Sequence, residues 1–222
     1  MKSITFFGIP IFIIFCLLFA MPFQSCEPED DCDDETPCDT CNIVRKPNIY
    51  IYPDTHIQLS VTLDFPLGGE ILTSLPEYGD GWNIIIDTNG LINNTYTYLF
   101  YESSQPDIWQ YQQGWIVKMS DLASFFNTNM ADYGFNAREI EDFVEYWIPR
   151  LDDFEYYSIC PQTKKLIDNV ITIDFSSQPD NLLRLFYVIT GYHQIPDKLP
   201  APEIDGFSRD GYVVTEWGVI LK

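Results

Sequence analysis

Residues 57–65 alternate without exception: Ile57, Leu59, Val61, Leu63 and Phe65 on one side, Gln58, Ser60, Thr62 and Asp64 on the other. A period of two sends successive side chains to opposite faces of a strand, so this segment predicts a strand buried on one face only. Such a strand cannot stand alone. It needs neighbours to pair its backbone and a second layer to cover its apolar face. Pro66 and Gly68-Gly69 end it, and further short β-rich runs follow at 70–74, 82–87, 96–102 and 115–119, after an earlier one at 49–52. Turn residues such as Gly79-Asp80-Gly81 and Thr88-Asn89-Gly90 separate them.

The period then changes. Ser120 can cap a helix to about 133, with Leu122, Phe125, Phe126 and Met130 on its apolar face and Gly134 at its end. Asn136, with Glu139 three residues on, matches a capping box that opens a second helix through about 151. Ile140, Phe143, Val144 and Trp147 form its inner face, and Pro149 ends or kinks its last turn. Strands resume at 156–160, 170–175, 182–190 and 212–217, with a Pro-rich surface connection over 196–202. The expected fold is α+β: a largely antiparallel β-sheet or sandwich with an inserted two-helix hairpin, in a single domain over 46–222.

The N-terminus reads differently. Lys2 precedes an apolar run over 4–23, interrupted mainly by Gly8, Pro10 and Pro22. This is the layout of a secretory signal over 1–25. Phe23-Gln24-Ser25-Cys26 resembles a bacterial lipobox, which implies cleavage before Cys26 and its lipidation by acyl chains such as palmitate. An uncleaved membrane helix and a signal without lipid are the competing readings. After Cys26 comes an acidic tether over 26–45, whose acids (Glu27, Glu29, Asp30, Asp31, Asp33, Asp34, Glu35 and Asp39) have no base among them through residue 41. Like charges extend such a segment. An acidic run after the lipidated cysteine also resembles the surface-export signal of Bacteroidetes lipoproteins, which implies an outer-membrane anchor with the body outside the cell. A plain solvated spacer is the other reading of it.

With the leader's Cys16 removed and Cys26 lipidated, four cysteines remain: Cys32, Cys38, Cys41 and Cys160. In an exported chain, disulfides among them are the expectation, with the pairing unspecified. Cys38-Asp-Thr-Cys41 has redox or zinc spacing, but no second CxxC or nearby histidine completes a metal shell.

The chain holds 33 acidic against 12 basic residues, a net charge of −21. That excludes a phosphate-binding surface for nucleic acid. No GxSxG, HExxH, P-loop or GxGxxG pattern occurs, so no cofactor or metal is implied. Acid pairs such as Asp152-Asp153 and Asp205 with Asp210 lack EF-hand spacing. Aromatic rings beside carboxylates suit sugars, and Trp82, Trp109, Tyr111, Trp115, Trp147 and Trp217 are stacking candidates. Large aromatics also fill sheet cores, and the sequence leaves both readings open. Glycoside hydrolysis needs two carboxylates at a set separation, for which Glu102, Glu145 and Glu216 are candidates.

Lys46-Pro-Asn-Ile-Tyr-Ile-Tyr-Pro53 resembles the KPxIYLYP block that opens a family of secreted and lipid-anchored bacterial proteins. In order follow Leu63-Asp-Phe65, Tyr78-Gly-Asp-Gly-Trp82 (YxDGW), Tyr98-Leu-Phe-Tyr-Glu102 (YLFWE), Glu145-Tyr-Trp-Ile-Pro149 (YWLP), Leu183-Arg-Leu-Phe186 (LRVF) and Val214-Thr-Glu-Trp-Gly218 (VVEWG). The resemblance covers about 46–218. It implies one compact exported domain in which Asp80, Trp82, Glu102, Trp147, Glu216 and Trp217 belong to a shared pattern, and it assigns none of them a catalytic role. The reading favoured is a lipid-anchored envelope protein, non-catalytic, that binds a glycan or a protein at the cell surface. The alternatives are a glycoside hydrolase with a carboxylate pair, and a structural component of an envelope complex.

Overall fold

The alternating segment becomes strand β2 (Ile57–Asp64), with Leu59 and Val61 fully buried and Gln58, Thr62 and Asp64 exposed. In the computed structural model, which describes residues 41–222, β2 is the centre of a three-stranded sheet. It pairs antiparallel with β4 (Trp82–Ile86) on one side and β8 (Thr172–Phe175) on the other. The leader at 1–25, the lipidation site Cys26, and Cys32 and Cys38 lie outside the described residues.

A larger sheet supplies the covering layer. Its strands are β1 (Cys41–Tyr52), β3 (Glu70–Leu75), β5 (Leu99–Pro106), β6 (Trp115–Lys118), β7 (Tyr156–Thr163), β9 (Asn181–Tyr192) and β10 (Val213–Leu221), in the order β3-β5-β1-β10-β9-β7-β6. All its pairings are antiparallel except β9 with β10. A parallel neighbour needs a long crossover. Here residues 193–212 make it as an irregular strap with no helix. Strand β1 starts at Cys41, inside the span read as tether, because Val44 is fully buried and pairs with Ser103 on β5.

The large sheet is apolar on both faces. One face meets the small sheet across a core that holds Ile49, Ile51, Leu59, Trp82, Tyr101 and Val214. The other carries the helical hairpin, α1 (Leu122–Tyr133) and α2 (Ala137–Trp147), over Phe126, Phe143, Trp147, Tyr187 and Trp217. The fold is thus α+β, a sandwich with a helix layer on one outer face.

Ser120 does not cap α1: it lies in a 3₁₀ turn, Met119–Asp121, and the helix starts after Asp121 with no side-chain cap, whereas the other boundaries follow their local chemistry. Gly134 closes α1 at φ 103°, where a Cβ would sit 2.7 Å from the Phe207 side chain. The Asn136 side chain accepts from Glu139 N at 3.0 Å, and Glu139 Oε2 accepts from Asn136 N at 2.8 Å, which completes the capping box. Pro149 lies in a 3₁₀ turn, Ile148–Arg150, that ends the hairpin. A short helix, α3 (Lys164–Ile167), turns the chain from β7 toward β8 and has no counterpart in the sequence reading.

Lys46 and Pro47 form a bulge in β1, and Lys46 sits at φ 53°. The bulge aims its ammonium into a box of three rings, 5.0 Å from Tyr98, 4.8 Å from Phe100 and 5.0 Å from Tyr146.

Candidate functional site

Most of the residues nominated from sequence turn out to hold the fold together. Trp82 is 2% exposed, and its indole N–H donates to Pro76 O at 2.8 Å. Trp147 and Trp217 are buried against Phe143 under the hairpin, and Trp109 is buried against Phe186. Tyr111 is exposed and donates to Asp107 at 2.6 Å. Trp115 is half-buried, its ring tilted against Phe125. Asp80 is exposed at the tip of its turn.

Glu216 does not assemble with Glu102 or Glu145. Glu216 is fully buried on the face of β10 toward the small sheet, where it ion-pairs with Arg184 and accepts from Tyr101 Oη at 2.8 Å. Glu145 is exposed on α2, across the large sheet from Glu216. Glu102 is half-buried on β5, between the inward-facing Tyr101 and Ser103, and so faces away from Glu216. Glu102 and Glu145 have no ion-pair partner among the described residues.

Asp152, Asp153, Asp205 and Asp210 are exposed. Among the described residues no three His, Cys, Asp or Glu side chains gather as a metal site. Among the described residues Cys160 is a free thiol, 2% exposed and packed beneath Gly114.

A different region has the form of a binding site. The strap runs beside β7 and α3 and leaves a cleft of about 520 Å³ lined by Gln113, Tyr133, Thr163, Glu203 and Asp205 over Leu166. A smaller hollow of about 160 Å³ continues from it along Lys164 and Phe207 and shares Tyr133, Thr163, Glu203 and Asp205. The walls are held firmly. On one side Gln110 and Gln162 interlock, Gln110 N donating to Gln162 Oε1 and Gln162 Nε2 to Gln110 O, both at 2.9 Å. Gln110 Nε2 also donates to Pro161 O at 2.8 Å, which clamps the β5–β6 loop to β7.

On the other side the strap is pinned at two points. Gly114 N donates to Pro200 O at 2.9 Å. Arg209 reaches Glu139 at 2.9 and 3.1 Å and Gly134 O at 3.0 Å. Glu139 is fully buried and also accepts from Thr215 Oγ1 at 2.7 Å, so every lone-pair direction toward the interior is used.

Tyr133 stands out within the cleft. It is 5% exposed, yet its buried hydroxyl has no hydrogen-bond partner. Burial, with the Asp205 charge nearby, pushes that hydroxyl up to about 12, so it is an uncharged donor at neutral pH. A buried hydroxyl left unpaired costs about 1–3 kcal/mol. None of the cleft residues was singled out from sequence as part of a site except Asp205, because helix end, strand end and strap meet only in three dimensions.

No family model, no curated protein and no solved structure matches this chain.

Proposed function

We propose that this chain is a lipoprotein of the bacterial outer membrane, anchored through acyl chains on Cys26 and displayed on the cell surface by its acidic tether, whose domain binds a glycan without turning it over. The lipobox-like Phe23-Gln24-Ser25-Cys26 and the acidic run after it support the anchoring, and the ordered sequence blocks support membership of the secreted and lipid-anchored family they resemble.

The observation that carries glycan binding is a polar cleft that offers a Gln113 amide, a Thr163 hydroxyl and the Glu203 and Asp205 carboxylates beside Tyr133. Sugar hydroxyls both donate and accept, so they suit a lining that mixes acceptor-only carboxylates with amide and hydroxyl groups that do both. Carboxylates also disfavour acidic sugars, so the ligand class is a neutral or amino glycan. The burial of Glu216 in an ion pair with Arg184 supports the non-catalytic reading over a carboxylate pair that includes it.

The test is a glycan array probed with the mature chain. Retention of neutral or amino glycans is expected, with loss in a Glu203→Gln/Asp205→Asn variant and no release of reducing sugar. A blank array would refute glycan recognition, and sugar release would refute the non-catalytic reading.

A further inference from the structure

A second hollow lies on the other side of the strap, where residues 195–201 pass the free edge of β6. Its volume is about 460 Å³, close to that of the polar cleft, but its chemistry is opposite. Ile116 and Tyr156 form its floor, and Ile195, Pro196 and Leu199 its strap wall. Ile195 is 70% exposed, the most exposed large apolar side chain among the described residues.

Two ammonium groups, Lys118 and Lys198, stand among the lining residues with one carboxylate, Asp121. Lys198 pairs with no carboxylate among the described residues, and Lys118 reaches only Glu155, at 3.9 Å with both side chains half exposed. From residue 42 onward the chain has 25 acids and 11 bases. An apolar hollow with a net positive lining is therefore the reverse of what the rest of the surface offers.

From this charge complementarity we infer that the hollow binds an anionic single-chain amphiphile: an aliphatic tail against Ile116, Tyr156, Ile195 and Leu199, and a carboxylate head between Lys118 and Lys198. Burying each methylene of such a tail contributes about 0.8 kcal/mol, and the exposed lysines add a smaller, salt-sensitive preference for a negative head. An added peptide strand fits less well. It would need the free edge of β6, at the entrance of which the Gly114 N–H is already bonded to Pro200 O at 2.9 Å. The chain's own acidic tether has no aliphatic side chain between Cys26 and Cys41 to fill the hollow.

The test is calorimetric titration of the mature chain, with Cys26→Ser so that no acyl chain of its own competes, using decanoate and decyltrimethylammonium below their micelle concentrations. Saturable binding of one decanoate is expected, at least tenfold tighter than the cationic amphiphile. A Lys118→Glu/Lys198→Glu variant should lose that preference, and Ile195→Asp should weaken decanoate binding at least tenfold. All three positions are solvent-exposed, so the variants should keep the circular dichroism of the parent. Absence of saturable decanoate binding, equal binding of the two head groups, or variants that bind like the parent would each overturn the inference. The polar cleft is untouched by these substitutions, so its glycan binding is scored separately.

Discussion

Thr215 and Glu216, neighbours on β10, touch two different buried ion pairs on opposite faces of the same strand. Thr215 donates to Glu139, which Arg209 grips on the helix side. Glu216 pairs with Arg184 on the side of the small sheet, where Arg184 also reaches Asp168 at 2.8 Å. Alternation along a strand makes this arrangement automatic. The central strand thus joins both layers of the protein through charge as well as through apolar packing.

Removing one member of the inner pair leaves the other charged and dry. Glu216→Ala is expected to destabilise by about 3–5 kcal/mol, read as a lower urea midpoint. A Glu216→Met/Arg184→Met double variant should lose less than either single change, because no unpaired charge remains. A double variant that loses the sum of the two would contradict the coupling.

The outer pair should act locally. Arg209 is partly exposed, so Glu139→Ala leaves a charge that water can reach, and the expected cost is about 1–3 kcal/mol. Because the substitution also removes the capping box and the strap's anchor, amide hydrogen exchange should rise in the first turn of α2 and over 200–210, with β9 and β10 little changed. Uniform acceleration across the domain would argue against a local latch.

Alkali should unfold the domain in a defined window. Burial pushes the hydroxyl of Tyr133 from 10.0 up to about 12, and burial beside Glu216 raises Tyr101 well above its ordinary value. Between the unfolded and folded values the native state holds protons that the unfolded chain has released. The stabilisation is therefore complete below about pH 10 and falls as pH rises through the folded values. Urea midpoints that stay flat from pH 10 to 12 would contradict it.

Cys160 should be unreactive in the native state. Burial raises its thiol from 9.0 to about 11, and the sulfur is packed beneath Gly114. Treatment with an aromatic disulfide reagent at pH 8 should modify Cys160 only after denaturant is added. Rapid labelling of the folded protein at Cys160, located by peptide mapping, would show that the β5–β6 loop opens.

The anchor has its own readout. Replacement Cys26→Ala should release the chain from membranes, and protease treatment of intact cells should digest the body of the unsubstituted protein. Full membrane partitioning of the variant would count against lipidation at Cys26.

Local chemistry was written in the sequence. The alternation over 57–65, the Asn136–Glu139 capping box and the Gly134 stop each depend on groups within a few residues of one another, and each is matched by an element within one residue of the pattern. The switch from period two to helical period also announced the hairpin, and with it the α+β class. Arg184 lies in the apolar strand β9, where a lone charge would be too costly to keep. Which carboxylate would meet it was not legible. Glu216 lies 32 positions away and becomes its partner only because β9 and β10 run parallel in register. The same holds for function. The sequence determined a sheet-rich body with a helical hairpin, while the targeting segment it suggests lies outside the described residues. Tertiary structure alone decided that Trp82, Trp109, Trp147, Trp217 and Glu216 are interior, and that Tyr133, Thr163 and Asp205 share a cleft. Burial and proximity are properties of the packed chain, and strand pairing across distant segments creates both.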